Sequence, residues 1–293
     1  MKNSILLAGL FLMAASCSND ESVNTVESAD YYAPVTVKVD GFSVEQGDIP
    51  VTRATALESY GSVKFVTLAF YKSDGTEAYK HTQVRDNEDT YTTFGEFSCN
   101  LPMGSYNMVV LCNEGSNAIT LSSPTSATYG DNIVMDTFAA TQAVNITSNN
   151  AVNLSATLNR IVSAVVVRSS DNRPNDVTRM RITCSGGDKS FNPNTGLAIE
   201  DNGFVRVLNF SGSGGSPTNI GSYLFLATDE QEVDVTVEML NANGDVLFSR
   251  SAENVPLKRN RITSLTGTLF SNTGVMSSFQ VNGSWLTEQR VNF

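Results

Sequence analysis

Val233-Asp234-Val235-Thr236-Val237-Glu238-Met239 sets an apolar side chain at every second place and a polar one between. That period belongs to a strand with one face buried and one in water, whereas a helix repeats every 3.6 residues. Asn243-Gly244-Asp245 follows, and this is a hairpin signal because Asn and Gly readily take the positive φ of tight turns. The same reading extends outward along the chain. Val35-Thr36-Val37-Lys38-Val39 alternates cleanly, and Met180, Ile182 and Cys184 alternate with Arg179, Arg181 and Thr183. Four runs are apolar on both faces, as strands inside a sandwich are: Val63 to Tyr71, Tyr106 to Cys112, Ile161 to Val167 and Tyr223 to Ala227. Turn clusters at Ser73-Asp74-Gly75, Asn113-Glu114-Gly115 and Asn192-Pro193-Asn194 punctuate them. With no long amphipathic helix in the pattern, the expected class is all-β, a sandwich or barrel.

Composition narrows the chemistry. The 293 residues carry 19 basic and 30 acidic side chains, a net charge of −11, which argues against a nucleic-acid partner. His81 is the single histidine, so His-paired zinc sites, HExxH helices and multi-histidine metal centres are excluded. Asp86-Asn87-Glu88-Asp89, beside His81 and Arg85, is the densest carboxylate group. It lacks the alternate ligands, glycine turn and distal Glu of a calcium loop and reads as a solvated loop. Ser211 to Pro217 is glycine-rich without the Lys-Ser/Thr ending of a phosphate loop, and is expected to be a mobile loop. Trp285 is the only tryptophan, which leaves little for a sugar-stacking platform. No nucleophile is paired with a base; no enzyme activity, cofactor or metal is expected.

Met1 to Ser16 reads as a signal peptide, with Lys2 at its start and Ile5 to Met13 as its apolar middle. The apolar run is shorter than the ~20 residues of a membrane-spanning helix. Ala14-Ala15-Ser16 before Cys17 resembles a bacterial lipobox, although Ala14 stands where Leu is usual. On that reading Cys17 is lipidated, and loss of residues 1–16 takes the net charge to −12. Ser18-Asn19-Asp20-Glu21-Ser22 is similar to the acidic signal that sends some lipoproteins to the outer face of the outer membrane. Cys99, Cys112 and Cys184 remain; a Cys99–Cys112 disulfide is open to the pair, but buried thiols are favoured because each sits in an apolar strand. Thr147-Ser148-Asn149-Asn150 is the best candidate boundary. The expected organisation is a signal peptide over 1–16, an acidic tether over 17–33, and sandwiches over 34–150 and 151–293.

Arg53 follows Ile49-Pro50-Val51-Thr52 and precedes Ala54-Thr55-Ala56, a stretch between strand patterns. An exposed, extended loop is where proteases cut. From here an ordered set of features resembles the fimbrillins of type V pili. The set runs from Cys17 through Val35 to Val39, Arg53-Ala54, Val63 to Gly75 and Leu101 to Asn113. It continues through Leu158-Asn159-Arg160-Ile161-Val162-Ser163-Ala164-Val165, Val255 to Thr263, the Gly267 strand and Trp285. The resemblance implies two tandem transthyretin-like β-sandwiches and no catalysis. It implies a surface lipoprotein cut by an Arg-specific protease at Arg53-Ala54, so that the strand carrying Val35, Val37 and Val39 leaves. The tail of another subunit, here carrying Phe279, Val281 and Trp285, then fills the groove. Implied partners are other pilin subunits, in a homo- or hetero-polymer, the outer membrane through the lipid before cleavage, and an adhesion receptor of unknown identity. The alternatives are an uncleaved pilus anchor, which keeps its lipid and first strand, and a monomeric surface lipoprotein that captures glycan or host protein.

Overall fold

The alternating segments fold as strands. A computed structural model of the chain describes residues 31–44, 53–271 and 278–282. Its first half contains β1 (Tyr32–Val44), β2 (Arg53–Thr55), β3 (Val63–Lys72), β4 (Glu77–Val84) and β5 (Glu96–Pro102). β6 (Gly104–Glu114), β7 (Thr120–Ser123), β8 (Ser126–Thr128), β9 (Thr137–Ile146) and β10 (Val152–Arg160) follow. The second half begins with β11 (Ser163–Ser169), β12 (Arg179–Cys184), β13 (Ser190–Asn192), β14 (Leu197–Ala198) and β15 (Phe204–Asn209). It ends with β16 (Asn219–Leu224), β17 (Glu230–Leu240), β18 (Val246–Lys258), β19 (Ile262–Gly267) and β20 (Ser278–Asn282). Among the described residues the helical turns are two short 3-10 turns, Leu57–Ser59 and Glu88–Thr90. The all-β expectation holds.

The largest sheet runs β2-β1-β10-β9-β6-β3-β4, with β5 on the free side of β1. β16-β11-β19-β20 and β15-β12-β17-β18 form two four-stranded sheets from the second half. A fourth, β14-β13-β8-β7, pairs strands from both halves, since β8 meets β13 at Ala127 and Phe191. Two apolar clusters result. One gathers Val35, Val37, Phe97, Leu68, Phe70, Met108 and Leu158. The other gathers Val165, Ile182, Phe191, Phe225, Val235 and Leu265, and takes Ala69, Tyr71, Val109 and Leu111 from the opposite faces of β3 and β6. β3 and β6 are therefore apolar on both faces because each face touches a different core.

Several boundaries differ from the sequence reading. β10 lies past the expected division at 150 but pairs with β1, and its Ala156 and Leu158 belong to the first cluster. From Ile161 onward the buried apolar residues belong to the second cluster, which also holds Ile119, Leu121 and Ala127 from the first half. The expected run Ile161 to Val167 starts as a strand only at Ser163, and Tyr223 to Ala227 leaves its strand after Leu224. Tyr32 and Ala33, expected in the tether, already belong to β1, where Ala33 is buried. The glycine-rich loop is tied down: the buried Arg173 donates through Nη2 to the carbonyls of Gly212 and Ser213, both at 2.8 Å.

The crossing between clusters is marked by a buried ion pair. Arg160 Nε donates to Asp136 Oδ1 at 2.7 Å and Nη2 to Oδ2 at 2.9 Å, a two-pronged contact with side chains only 2% and 5% exposed. Nη2 also reaches Tyr60 Oη at 2.8 Å, and Nη1 reaches Asn260 Oδ1 at 3.3 Å in the β18–β19 turn. Burial opposes the Arg160 charge, and the facing carboxylate more than offsets it, so its pKa is raised. Deleting one partner strands the other charge in the interior. Asp136→Ala is expected to lower unfolding free energy by about 3–5 kcal/mol, read by urea titration, and the double replacement Asp136→Ala with Arg160→Met by less.

Candidate functional site

Two strands depend on β1 for their hydrogen bonds. β5 runs antiparallel to it, Val35 opposite Cys99 and Val37 opposite Phe97, and has no other ladder partner among the described residues. β10 runs parallel to it, Val35 opposite Val152, Val37 opposite Leu154 and Val39 opposite Ala156. β10 meets β9 only at Asn159 and Arg160. The first half of β1 thus sits between β5 and β10, and its end sits between β10 and the three-residue β2. The strand is central although it stands near the start of the described chain.

Burial along β1 follows the alternation read from the sequence. Val35, Val37 and Val39 are buried while Pro34, Thr36 and Lys38 are exposed. The slot is longer than those three residues, for Ala33 and Phe42 are also fully buried. Phe42 escaped the period-two reading because a bulge shifts its parity: the register against β10 slips between Val39 and Gly41, whose φ is 146°. The Phe42 ring lies 4.9 Å from Tyr60 and 4.4 Å from Phe138 between centroids, and the Arg160 guanidinium lies over Phe138 at 4.7 Å. Phe42 therefore packs on Tyr60 and Phe138, the two rings that touch Arg160. Gly95 completes the approach on the β5 side: its carbonyl accepts from Val39 N at 2.9 Å, and a Cβ at its φ of 88° would meet Leu57 Cδ2 at 2.3 Å. Gln83 buries its amide there, donating to Glu96 O at 2.6 Å and accepting from Gly95 N at 2.7 Å.

The remaining expected residues fall elsewhere. Arg53 and Ala54, expected in a loop, form β2, a one-sided edge strand with Arg53 opposite Val44 and Ala54 opposite Ser43. Phe279 and Val281 lie on β20, antiparallel to β19 with Phe279 opposite Leu265, so this part of the tail pairs within its own chain. Cys17 and Trp285 lie outside the described residues. Cys99, Cys112 and Cys184 are free thiols, and burial pushes Cys99 up to about 11. His81 accepts a structural task, its Nε2 bonded to Thr90 O at 2.7 Å, and Asp86 pairs with Lys64 at 2.7 Å. Among the described residues no group of three or more His, Cys, Asp and Glu is placed to hold a metal. A cleft of about 620 Å³ opens beside Asn159, Thr157 and Thr195, and its charges are paired, Asp229 with Arg259 at 2.7 Å and Glu230 with Lys258.

Residues 34–289 match DUF6562, a family described as of unknown function. The chain belongs to DUF6562. No curated protein matches this DUF6562 member. Solved structures share its fold at low identity. The fimbrial anchor protein Mfa2 from Porphyromonas gingivalis is 13% identical with a TM-score of 0.53, over 86% of this chain and 98% of that one. A candidate adhesin from Bacteroides ovatus is 11% identical with a TM-score of 0.52, over 87% and 94%. A candidate polysaccharide-binding protein from Bacteroides thetaiotaomicron is 14% identical with a TM-score of 0.50, over 86% and 96%. This DUF6562 chain thus shares its fold with the fimbrial anchor protein Mfa2.

Truncating Phe42 tests the slot. Phe42→Ala is expected to cost about 3–5 kcal/mol in a urea titration, typical of a buried Phe→Ala change. Cys99, alongside Val35, is expected to react with a thiol reagent faster in Phe42→Ala than in the parent chain.

Proposed function

We propose that this chain is a structural subunit of a cell-surface fimbria working in adhesion, stalk or tip, assembled by β-strand exchange. It is exported as a lipoprotein on Cys17 to the outer membrane and cut between Arg53 and Ala54 by an Arg-specific protease. β1, with Val35, Val37 and Val39, then departs, and a strand from another subunit completes the sheet. In turn the tail, with Phe279, Val281 and Trp285, serves a neighbour. The observation that carries the reading is the position of β1: a segment near the start of the described chain fills the middle of a sheet and is β5's ladder partner. Removing such a strand leaves unpaired N–H and C=O groups on β5 and β10 and a row of apolar pockets, the template on which β-strand addition works. The likeness to a fimbrial anchor and to a candidate adhesin supports the setting.

A second reading has its own support. Arg53 and Ala54 are paired to β1 through β2, so a protease must first peel that edge away before the backbone can enter its groove. An anchor would keep its lipid, its junction and its β1 together. The N-terminal residue of the protein recovered from the cell surface separates the two. The exchanged subunit is expected to begin at Ala54 and to appear in high-mass, SDS-resistant species that Arg53→Ala abolishes. A protein that begins at lipidated Cys17 within the same assemblies selects the anchor, and one that begins there but never leaves the monomer position sinks the fimbrial proposal.

A further inference from the structure

β1 presents a specific sequence of shapes to its slot. Val35, Val37 and Val39 enter at a strict period of two, preceded by the smaller Ala33. The bulge at Asp40 and Gly41 then breaks the period, and the next large buried side chain, Phe42, follows Val39 by three places. Its ring packs against Tyr60 and Phe138, the rings that also meet Arg160. The slot therefore selects small or β-branched residues at i, i+2 and i+4 and an aromatic at i+7. A replacement strand meets the same walls, and cores penalise both overfilled and underfilled sites. Leaving the Phe42 site empty would also remove the packing from Tyr60 and Phe138, the rings against which Arg160 lies.

The tail of this chain does not carry that pattern. Its aromatic residues beyond 275 are Phe279, Trp285 and Phe293. Three places from them, in either chain direction, stand Met276, Asn282, Glu288 and Arg290. Only Met276 is apolar, and its long unbranched side chain is neither small nor β-branched. Residues 278–282 are moreover already laid against β19. We infer that the strand taking the place of β1 comes from a different protein, one bearing the i, i+2, i+4, i+7 pattern, and not from the tail of a second copy. The inference rests on the strand-exchange reading above and makes the assembly a mixed one, in which Phe42 marks the position that decides which strand is accepted.

The test uses the full chain cut after Arg53 and three fluorescent peptides: a copy of residues 32–44, the same peptide with Phe42→Ala, and a copy of residues 276–293. Capture is followed by gel filtration, and Cys99 labelling reports departure of the resident strand. The first peptide is expected to be captured, the second on the order of 100-fold more weakly or worse, and the tail peptide not at all. Capture of the tail peptide as tightly as the first overturns the inference and leaves strand exchange standing. Equal capture of the Phe42→Ala peptide removes Phe42 as the selecting residue and overturns it too. Retention of the resident strand against every peptide, with Cys99 unlabelled, brings down the exchange reading itself.

Discussion

The ladder that β1 makes with β5 on one side and β10 on the other is the constraint from which the first half of the molecule follows. Backbone groups inside a protein must be paired, and β5 has its pairs through β1. The parallel register between Val35 and Val152 joins residues far apart in the chain, so no tight turn can organise it. The side chains do so instead. One inward face of β1 locks the register, because a slip by one residue would turn Val35, Val37 and Val39 into water and bring Thr36 and Lys38 inside. Surface charges add little: Lys38 and Glu96 stand 3.4 Å apart but largely in solvent.

The Arg160–Asp136 pair fixes a different boundary. It sits where the chain leaves one apolar cluster for the other, and it ties together Tyr60, Asp136 and Asn260, residues remote in sequence. A buried ion pair is weak evidence for stability, since hydrophobic replacements are often as stable. Its geometric demand is strong, because both oxygens and three guanidinium nitrogens must find partners at once. The turn that supplies Asn260 holds that residue at φ 58°, with its N–H donating to Val162 O at 2.8 Å. The two stretches around Arg160 and Asn260 that carry the fimbrillin resemblance are thus joined physically at this point.

The strands were legible wherever one face is wet, as in β1, β12 and β17, because alternation records burial directly. β3 and β6 were legible as strands but not in their role, since a run apolar on both faces does not say whether one core or two surround it. Thr147 to Asn150 has the composition of a linker, yet it connects β9 to β10, and β10 packs in the first cluster. The role of Arg160 is invisible until Asp136 is brought beside it. Phe42 was missed for a reason of parity: a bulge adds one residue, and a strict period of two stops at Val39. Arg53 was legible as a junction between strands, and its pairing to Val44 was not, because a three-residue edge strand has no period to read.

Low identity among structures sharing this fold fits the way the two constraints are encoded. Alternation tolerates many substitutions, so a sheet of this kind survives with little sequence in common. A slot that must accept a particular strand is less tolerant, since each position sees its own wall. In the proposed exchange the departing and arriving strands make the same backbone hydrogen bonds, so those bonds cancel and cannot choose between candidates. Discrimination then falls to side-chain volume along the slot and to the ring packed on Tyr60 and Phe138. Under that proposal the fold is common to many proteins while the accepted strand belongs to few, and the residue that most separates them is the one after the bulge.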